Sequence, residues 1–280
     1  MHIGSAPDSW GVWFANDPGQ VPWPRFLDEM ALAGYEWVEL GPHGYLPTDP
    51  SQLSDEVAAR GLKVAGGTVP GALHRPEHWA ADVEAASNVA KLANAVGAKF
   101  VVFLPHGARQ LDPDAWCRMV SGADELGKLL RQEYGVELVF HPHANTYVET
   151  QAQIERLLAD STVQLCLDTG HVAYGRGDNL ALIAKYPERI GYVHLKQIDP
   201  LVLDQVQAEG LDFAQAVQRG VCPEPPAGVP SFEALAKALH PLGDDLFGIV
   251  EQDLYPCAPD VPLPIAQRTR AYLRRCGFEG

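Results

Sequence analysis

The sequence predicts an α/β protein folded as one closed (β/α)8 barrel, and three observations carry that expectation. Short apolar runs alternate with helical segments eight times along 280 residues, close to the roughly 250 residues typical of such a barrel. No charge run or linker divides the chain, so residues 1–280 read as a single domain. No Gly-x-Gly-x-x-Gly follows the first run, which leaves a dinucleotide-binding sheet without support.

The elements follow in order. His2–Ala6 is the first strand, and Phe26–Ala33 is a helix stopped by Gly34. Glu36–Leu40 is a strand broken by Gly41-Pro42; a helix from Ser51 to Arg60 ends at Gly61, and Leu62–Thr68 is the third strand. An Ala-rich helix from Glu77 to Val96 stops at Gly97 before the run Lys99–Leu104. Asp112–Tyr134 is helical and ends at Gly135, and Val136–His141 is strand five. A helix near Glu149–Ala159, the strand Gln164–Asp168, a helix near Leu180–Tyr186 and the strand Ile190–His194 continue the rhythm. Gln197–Ser231, with Pro223, Pro225, Pro226 and Pro230, is expected to be an elaborated loop. Ser231–His240 is a helix with Ser231 as N-cap; the strand Phe247–Glu251 and a helix near Ile265–Arg275 complete eight units. Alternating strands and helices imply a parallel sheet.

The bulk composition narrows function. A formal charge of −15 argues against nucleic-acid and anionic-membrane partners, which need a basic surface. No apolar stretch approaches the roughly 18 residues of a membrane span, and the N-terminus lacks the basic-then-apolar pattern of a signal peptide. Cys117, Cys166, Cys222, Cys257 and Cys276 are scattered, with no CxxC pair, and read as free thiols of a cytoplasmic protein. Cys166, inside an apolar strand, reads as a small core residue.

Four of the apolar runs end in residues with a lone pair to give: His141, Asp168, His194 and Glu251. In a parallel barrel the C-terminal strand ends converge on one mouth, where two imidazoles and two carboxylates would form a divalent-metal site. His141 and His143 flank Pro142 at the two-residue strand period, so both share a face; His141 is the favoured ligand and His143 is left for proton transfer or substrate. His194 and Lys196 share a face for the same reason. Mixed nitrogen and oxygen ligation suits Mn²⁺ or Co²⁺, with Zn²⁺ and Fe²⁺ also compatible, better than Ca²⁺. Glu39, ending strand two, and His106, after strand four, are further mouth positions. Trp10 and Trp13 follow strand one and suit either stacking on a sugar or cyclitol face or packing of the loop. His74, His78 and His240 are expected on the surface.

Leu-Asp-Thr-Gly-His (167–171), Val-His-Leu-Lys (193–196) and Val-Glu-Gln-Asp (250–253) resemble the xylose isomerase-like TIM-barrel superfamily, over essentially the whole chain. That group holds sugar isomerases and epimerases, 2-keto-myo-inositol isomerases, inosose dehydratases and endonuclease IV-type repair enzymes. Ala6-Pro7-Asp8-Ser9-Trp10-Gly11 and His141-Pro142-His143 are most similar to the inosose dehydratase branch. The resemblance implies one divalent metal held at the ends of strands five to eight, usually by Glu, Asp, His and Glu. The last three fall on Asp168, His194 and Glu251, while the strand-five Glu falls on His141, which favours a softer metal than Mg²⁺. Pro226-Ala-Gly228-Val-Pro-Ser-Phe also departs from the Gly-x-Gly-Asp-x-Asp-Phe of many relatives.

The implied chemistry is removal of a proton beside a carbonyl, with the enolate stabilised by the metal. Loss of a β-hydroxyl then gives dehydration, and reprotonation elsewhere gives isomerisation or epimerisation. His143, Lys196 and Glu39 are the acid–base candidates, and His106 and His171 are substrate contacts or supports. The leading expectation is a lyase or isomerase acting on a small keto-cyclitol or keto-sugar, as a monomer or homo-oligomer. Cleavage of a 3-keto-glycoside by the same chemistry is the nearest rival. Repair of abasic DNA would need a basic groove, and a non-catalytic binding barrel is the remaining alternative.

Overall fold

The computed structural model describes residues 1–279. Strands β1 (His2–Ser5), β2 (Trp37–Glu39), β3 (Lys63–Gly71), β4 (Phe100–Pro105), β5 (Glu137–Phe140), β6 (Gln164–Asp168), β7 (Ile190–Leu195) and β8 (Phe247–Val250) form a closed barrel in sequence order. All neighbours pair in parallel, and β1 closes the ring on β8 through Ser5 opposite Val250. The expected (β/α)8 architecture is the one observed.

The first half of the outer layer comprises α1 (Trp23–Ala33), α2 (Pro50–Ala58), α3 (Trp79–Ala95), α4 (Pro113–Tyr134) and α5 (Gln151–Asp160). It continues through α6 (Thr169–Tyr174), α7 (Asn179–Lys185), α8 (Pro200–Glu209), α9 (Phe213–Gln218), α10 (Phe232–Leu239) and α11 (Pro262–Cys276). Capping explains several starts: Asp49, Asp112 and Ser231 each accept a backbone N–H three residues on, and Thr150 with Gln153 closes a capping box. The main core lies between strands and helices, where Leu126, Leu130, Leu138 and Phe140 are buried together.

The period-two alternation of each strand fills the barrel interior in layers. At the N-terminal end His2, Trp37, Phe100, Tyr192 and Phe247 form an aromatic plug with ring centroids 4.9–5.8 Å apart. Above it Val102, Val139, Cys166 and Ile249 form a buried middle layer. The residues two further on (His141, Asp168 and Glu251) arrive at the open mouth, as does His194, two beyond Tyr192.

Two sequence expectations are corrected. Gln197–Ser231 is not simply a loop, because α8 and α9 lie within its first two-thirds. Asp199 caps α8 with Pro200 in its first turn, and Asp212 and Gln215 form a capping box on α9. The cluster of prolines lies beyond both helices and masked their short periodicity. Leu203, Val206, Phe213, Ala216 and Val217 pack with Ala144 and Tyr174 into a satellite core beside the mouth. His74, expected on the surface, is buried against Tyr147, with ring centroids 5.2 Å apart. Its segment turns inward after β3, a fold-level detail that a loop composition does not show. His78 and His240 are exposed.

Candidate metal centre and active site

His141, Asp168, His194 and Glu251 converge at the mouth, each bringing a ligand atom within 4.8 Å of the others. The register explains it: Asp168 lies opposite His194 on the β6–β7 ladder, and His141 and Glu251 stand one residue beyond β5 and β8. His141 Nε2 is 3.3 Å from Asp168 Oδ2, and His194 Nδ1 is 3.7 Å from Asp168 Oδ2 and 3.1 Å from Glu251 Oε2. The 3.1 Å approach lies outside hydrogen-bond geometry, so the buried His194 Nδ1 has no hydrogen-bond partner. A buried ring nitrogen without a hydrogen-bond partner, set between two carboxylates, is a position that a cation would satisfy. Ligand distances of about 2.0–2.2 Å place donors roughly 3–4 Å apart, so this donor set fits a divalent ion. His143 lies outside that set.

The supporting contacts are specific. Glu39 Oε2 accepts from His194 Nε2 at 3.0 Å, while its Oε1 accepts the Thr68 hydroxyl at 2.8 Å. The nitrogen of His194 turned away from the cluster therefore carries a proton; burial opposes a charge on the ring, but Cys166, Glu251 and Glu39 raise its pKa well above the ordinary histidine value, so a cation at Nδ1 would displace a second proton. This gives Glu39, a candidate acid–base group from the sequence, a place beneath the ring rather than in the open mouth. Asp168 Oδ1 accepts the His171 backbone N–H at 2.7 Å as the cap of α6.

Lys196 Nζ lies 3.2 Å from Asp168, 2.9 Å from Glu251 and 2.7 Å from Asp253. Burial opposes its charge, but those three carboxylates hold its pKa well above the ordinary lysine value. Burial likewise works against the Asp168 and Glu251 charges. Lys196 and His171 nevertheless keep Asp168 well below the usual carboxylate range, and His194 and Lys196 bring Glu251 down to about 2. Gly170 makes room for this lysine: a Cβ there would sit 2.4 Å from Lys196 Cγ.

His143 lies beside the cluster, its ring 5.7 Å from that of His141 and 4.0 Å from that of His171. Its Nδ1 is 2.9 Å from the Ala144 carbonyl oxygen, to which a protonated Nδ1 donates. Burial and then the neighbouring His141 lower its pKa to about 4, so the ring is neutral at neutral pH with its lone pair on Nε2. His171 accepts the Ala144 N–H on Nδ1 at 3.2 Å and turns Nε2 toward Lys196 at 3.4 Å. His106 is exposed on the loop after β4, where it and His143 line a cavity of about 540 Å³ together with Arg109, Asn145 and Thr146.

Trp10 stands apart from this group. It is fully buried, its indole N–H donates to Glu29 Oε2 at 2.8 Å, and its ring meets Phe26 edge-on. Of its two readings from the sequence, packing of the loop is the one observed. Trp13 instead joins an aromatic strip, stacking on Tyr255 at 5.0 Å and Phe213 at 6.4 Å; Phe213 in turn lies 4.9 Å from His171 and 5.3 Å from His143.

Three mouth residues escaped the sequence reasoning. Asp8 stands in the 3-10 turn Pro7–Trp10 that follows β1, and burial, then Glu251 and Asp253, hold its carboxyl well above the ordinary range. Asp253 repeats the period two residues past Glu251 and ion-pairs with Lys196. Counting by two past Glu251 reaches Asp253, whereas Asp8 lies on a turn beyond β1 that no strand period marks. Phe213 arrives from the insertion, and no local signal marks it.

A closed parallel barrel with a histidine–carboxylate cluster at its C-terminal mouth defines a class of barrel whose site sits where the strands converge. The chain belongs to the xylose isomerase-like TIM-barrel family, whose family model matches residues 27–276. It is 29% identical to the inosose dehydratase of Geobacillus thermodenitrificans (strain NG80-2), over 99% of this chain and 98% of that protein. It is also 29% identical to the inosose dehydratase of Lacticaseibacillus casei, covering 98% and 96% of the two chains. Among solved structures, the IolI protein with a bound zinc atom superposes with a TM-score of 0.73 at 16% identity, over 100% of this chain and 97% of that one. The probable 3-DHS dehydratase AsbF from Bacillus anthracis superposes with a TM-score of 0.73 at 14% identity, over 95% and 98% of the chains. At these identities the structural likeness concerns the fold alone.

Proposed function

We propose that this protein is a divalent-metal-dependent lyase that eliminates water from a keto-cyclitol, the reaction named by its inosose dehydratase relatives. The observation that carries the reading is the gathering of His141, Asp168, His194 and Glu251 at the barrel mouth with a neutral imidazole, His143, beside them. His141 Nε2, Asp168 Oδ2, His194 Nδ1 and Glu251 Oε2 would hold the ion, with Mn²⁺ or Co²⁺ best suited to two imidazoles and two carboxylates. When bound, such an ion supplies Lewis-acid polarisation of a substrate carbonyl and stabilises the enolate charge.

The chain's own groups supply the rest. His143 Nε2 takes the proton from the carbon next to the carbonyl, its orientation fixed by Nδ1 on Ala144. Lys196, locked among three carboxylates, contributes a fixed charge and hydrogen bonds rather than shuttling a proton. Asp8, whose carboxyl is pushed above the ordinary range by burial and by Glu251 and Asp253, is the candidate proton donor to the departing hydroxide. Glu39 holds His194 in register, and Trp13 with Phe213 walls the mouth against water.

Incubating the Mn²⁺- or Co²⁺-loaded protein with scyllo-inosose tests this reading by mass spectrometry. The expected product is lighter by one water and has a new conjugated absorbance. Run in D₂O, keto-sugar products that keep every oxygen and gain one mass unit from solvent deuterium, while inosose is untouched, would replace dehydration with isomerisation or epimerisation.

A further inference from the structure

Beneath the carboxylates of the mouth lies a sulfur atom that the proposed chemistry does not use. Cys166 precedes Asp168 by two residues on β6, so both side chains share the inward face, with the thiol one layer deeper. It is fully buried, in the middle layer of the barrel with Val139 and Ile249. His141, Cys166 and His194 each bring a ligand atom within 4.8 Å of the other two, as the members of the oxygen-rich set above do. The Nδ1 atoms of both histidines are buried without hydrogen-bond partners.

We propose that His141, Cys166 and His194 form a second, sulfur-containing metal site directly below the carboxylates, selective for thiophilic d10 divalent ions such as Cd²⁺ and Zn²⁺. Thiolate with imidazole selects soft ions, whereas carboxylates suit harder ones. Bonds of about 2.3 Å to sulfur and 2.0–2.1 Å to nitrogen require the three donors to close by on the order of 1 Å. Binding releases the Cys166 proton to water as the metal–sulfur bond forms, with no change of oxidation state. The two donor sets share both histidines, so one ion excludes the other. A soft ion in the lower site therefore takes His141 and His194 from a harder ion in the upper one, and acts as an inhibitor. The inference shares these histidines with the proposed function but needs neither Asp168 nor Glu251.

The test uses the chelator-stripped full chain loaded with one equivalent of ¹¹³Cd²⁺ and read by cadmium NMR. Wild type is expected to show a resonance in the range of mixed sulfur and nitrogen ligation. Cys222→Ala, at the other buried cysteine, and Asp168→Ala should retain it. Cys166→Ala should lose it, and its Cd²⁺ affinity should fall by about tenfold or more while Mn²⁺ affinity is unchanged. Cys166→Ser, closer in volume, gives the same reading if the alanine variant folds poorly. A sulfur-ligated signal that survives in both Cys166 variants, or cadmium held by nitrogen and oxygen alone in wild type, overturns the proposal. Loss of Mn²⁺ but not of the cadmium signal in Asp168→Ala separates this site from the carboxylate site above it.

Discussion

Removing the Glu39 carboxylate tests the logic of the site without touching a proposed ligand. His194 can lend Nδ1 to a cation only while its proton stays on Nε2, and Glu39 Oε2 at 3.0 Å keeps it there. The carboxylate is itself fixed by the Thr68 hydroxyl at 2.8 Å. Glu39→Gln keeps the shape and can still accept from Nε2, but a neutral acceptor replaces a charged one. That difference is worth about 1–2 kcal/mol, or roughly 5–30-fold in affinity. Glu39→Leu removes both hydrogen bonds and leaves a buried N–H unsatisfied, so its loss should reach about 100-fold. Mn²⁺ affinity measured by competition with a fluorescent chelator gives the numbers, and far-ultraviolet circular dichroism checks the fold. Wild-type affinity in both variants would refute the argument. Complete loss of metal in Glu39→Gln would refute it differently, by making Glu39 a ligand.

Three further outcomes are expected. Asp168→Ala and His194→Ala should purify folded but largely free of manganese and cobalt by elemental analysis; full occupancy by these ions in both would rule out the carboxylate site. His143→Asn should keep the metal while turnover falls roughly 10²–10⁴-fold, the range for general acid–base catalysis; metal loss in this variant and not in His141→Asn would exchange the two roles. Gly170→Ala drives a methyl group to 2.4 Å from Lys196 Cγ, so it should cost about 1–3 kcal/mol in urea unfolding and displace the ammonium from its carboxylates. Unchanged stability and activity would show that the lysine needs no such room.

How far the sequence reached depends on the range of the interaction that decides each feature. Strand and helix identity rests on neighbours two to four residues apart, and strand ends carry the same period, so the barrel and the quartet His141, Asp168, His194 and Glu251 were legible. The same count by two reaches Asp253 and Cys166, whereas Asp8 arrives on a turn beyond β1. What the sequence leaves open is the partner of each side chain across the ring. Closure of β1 onto β8 and the twist between strands place Glu39 beneath His194, 155 residues away in sequence. Packing between elements sends Trp10 onto Glu29 and draws His74 inward. Phe213 reaches the mouth because its helix caps itself and docks its backbone N–H on Asn145, a contact spanning 68 residues. Local period determined which residues arrive at the mouth; the closed barrel decided which of them face one another, because pairing across it depends on register and closure that no local segment contains.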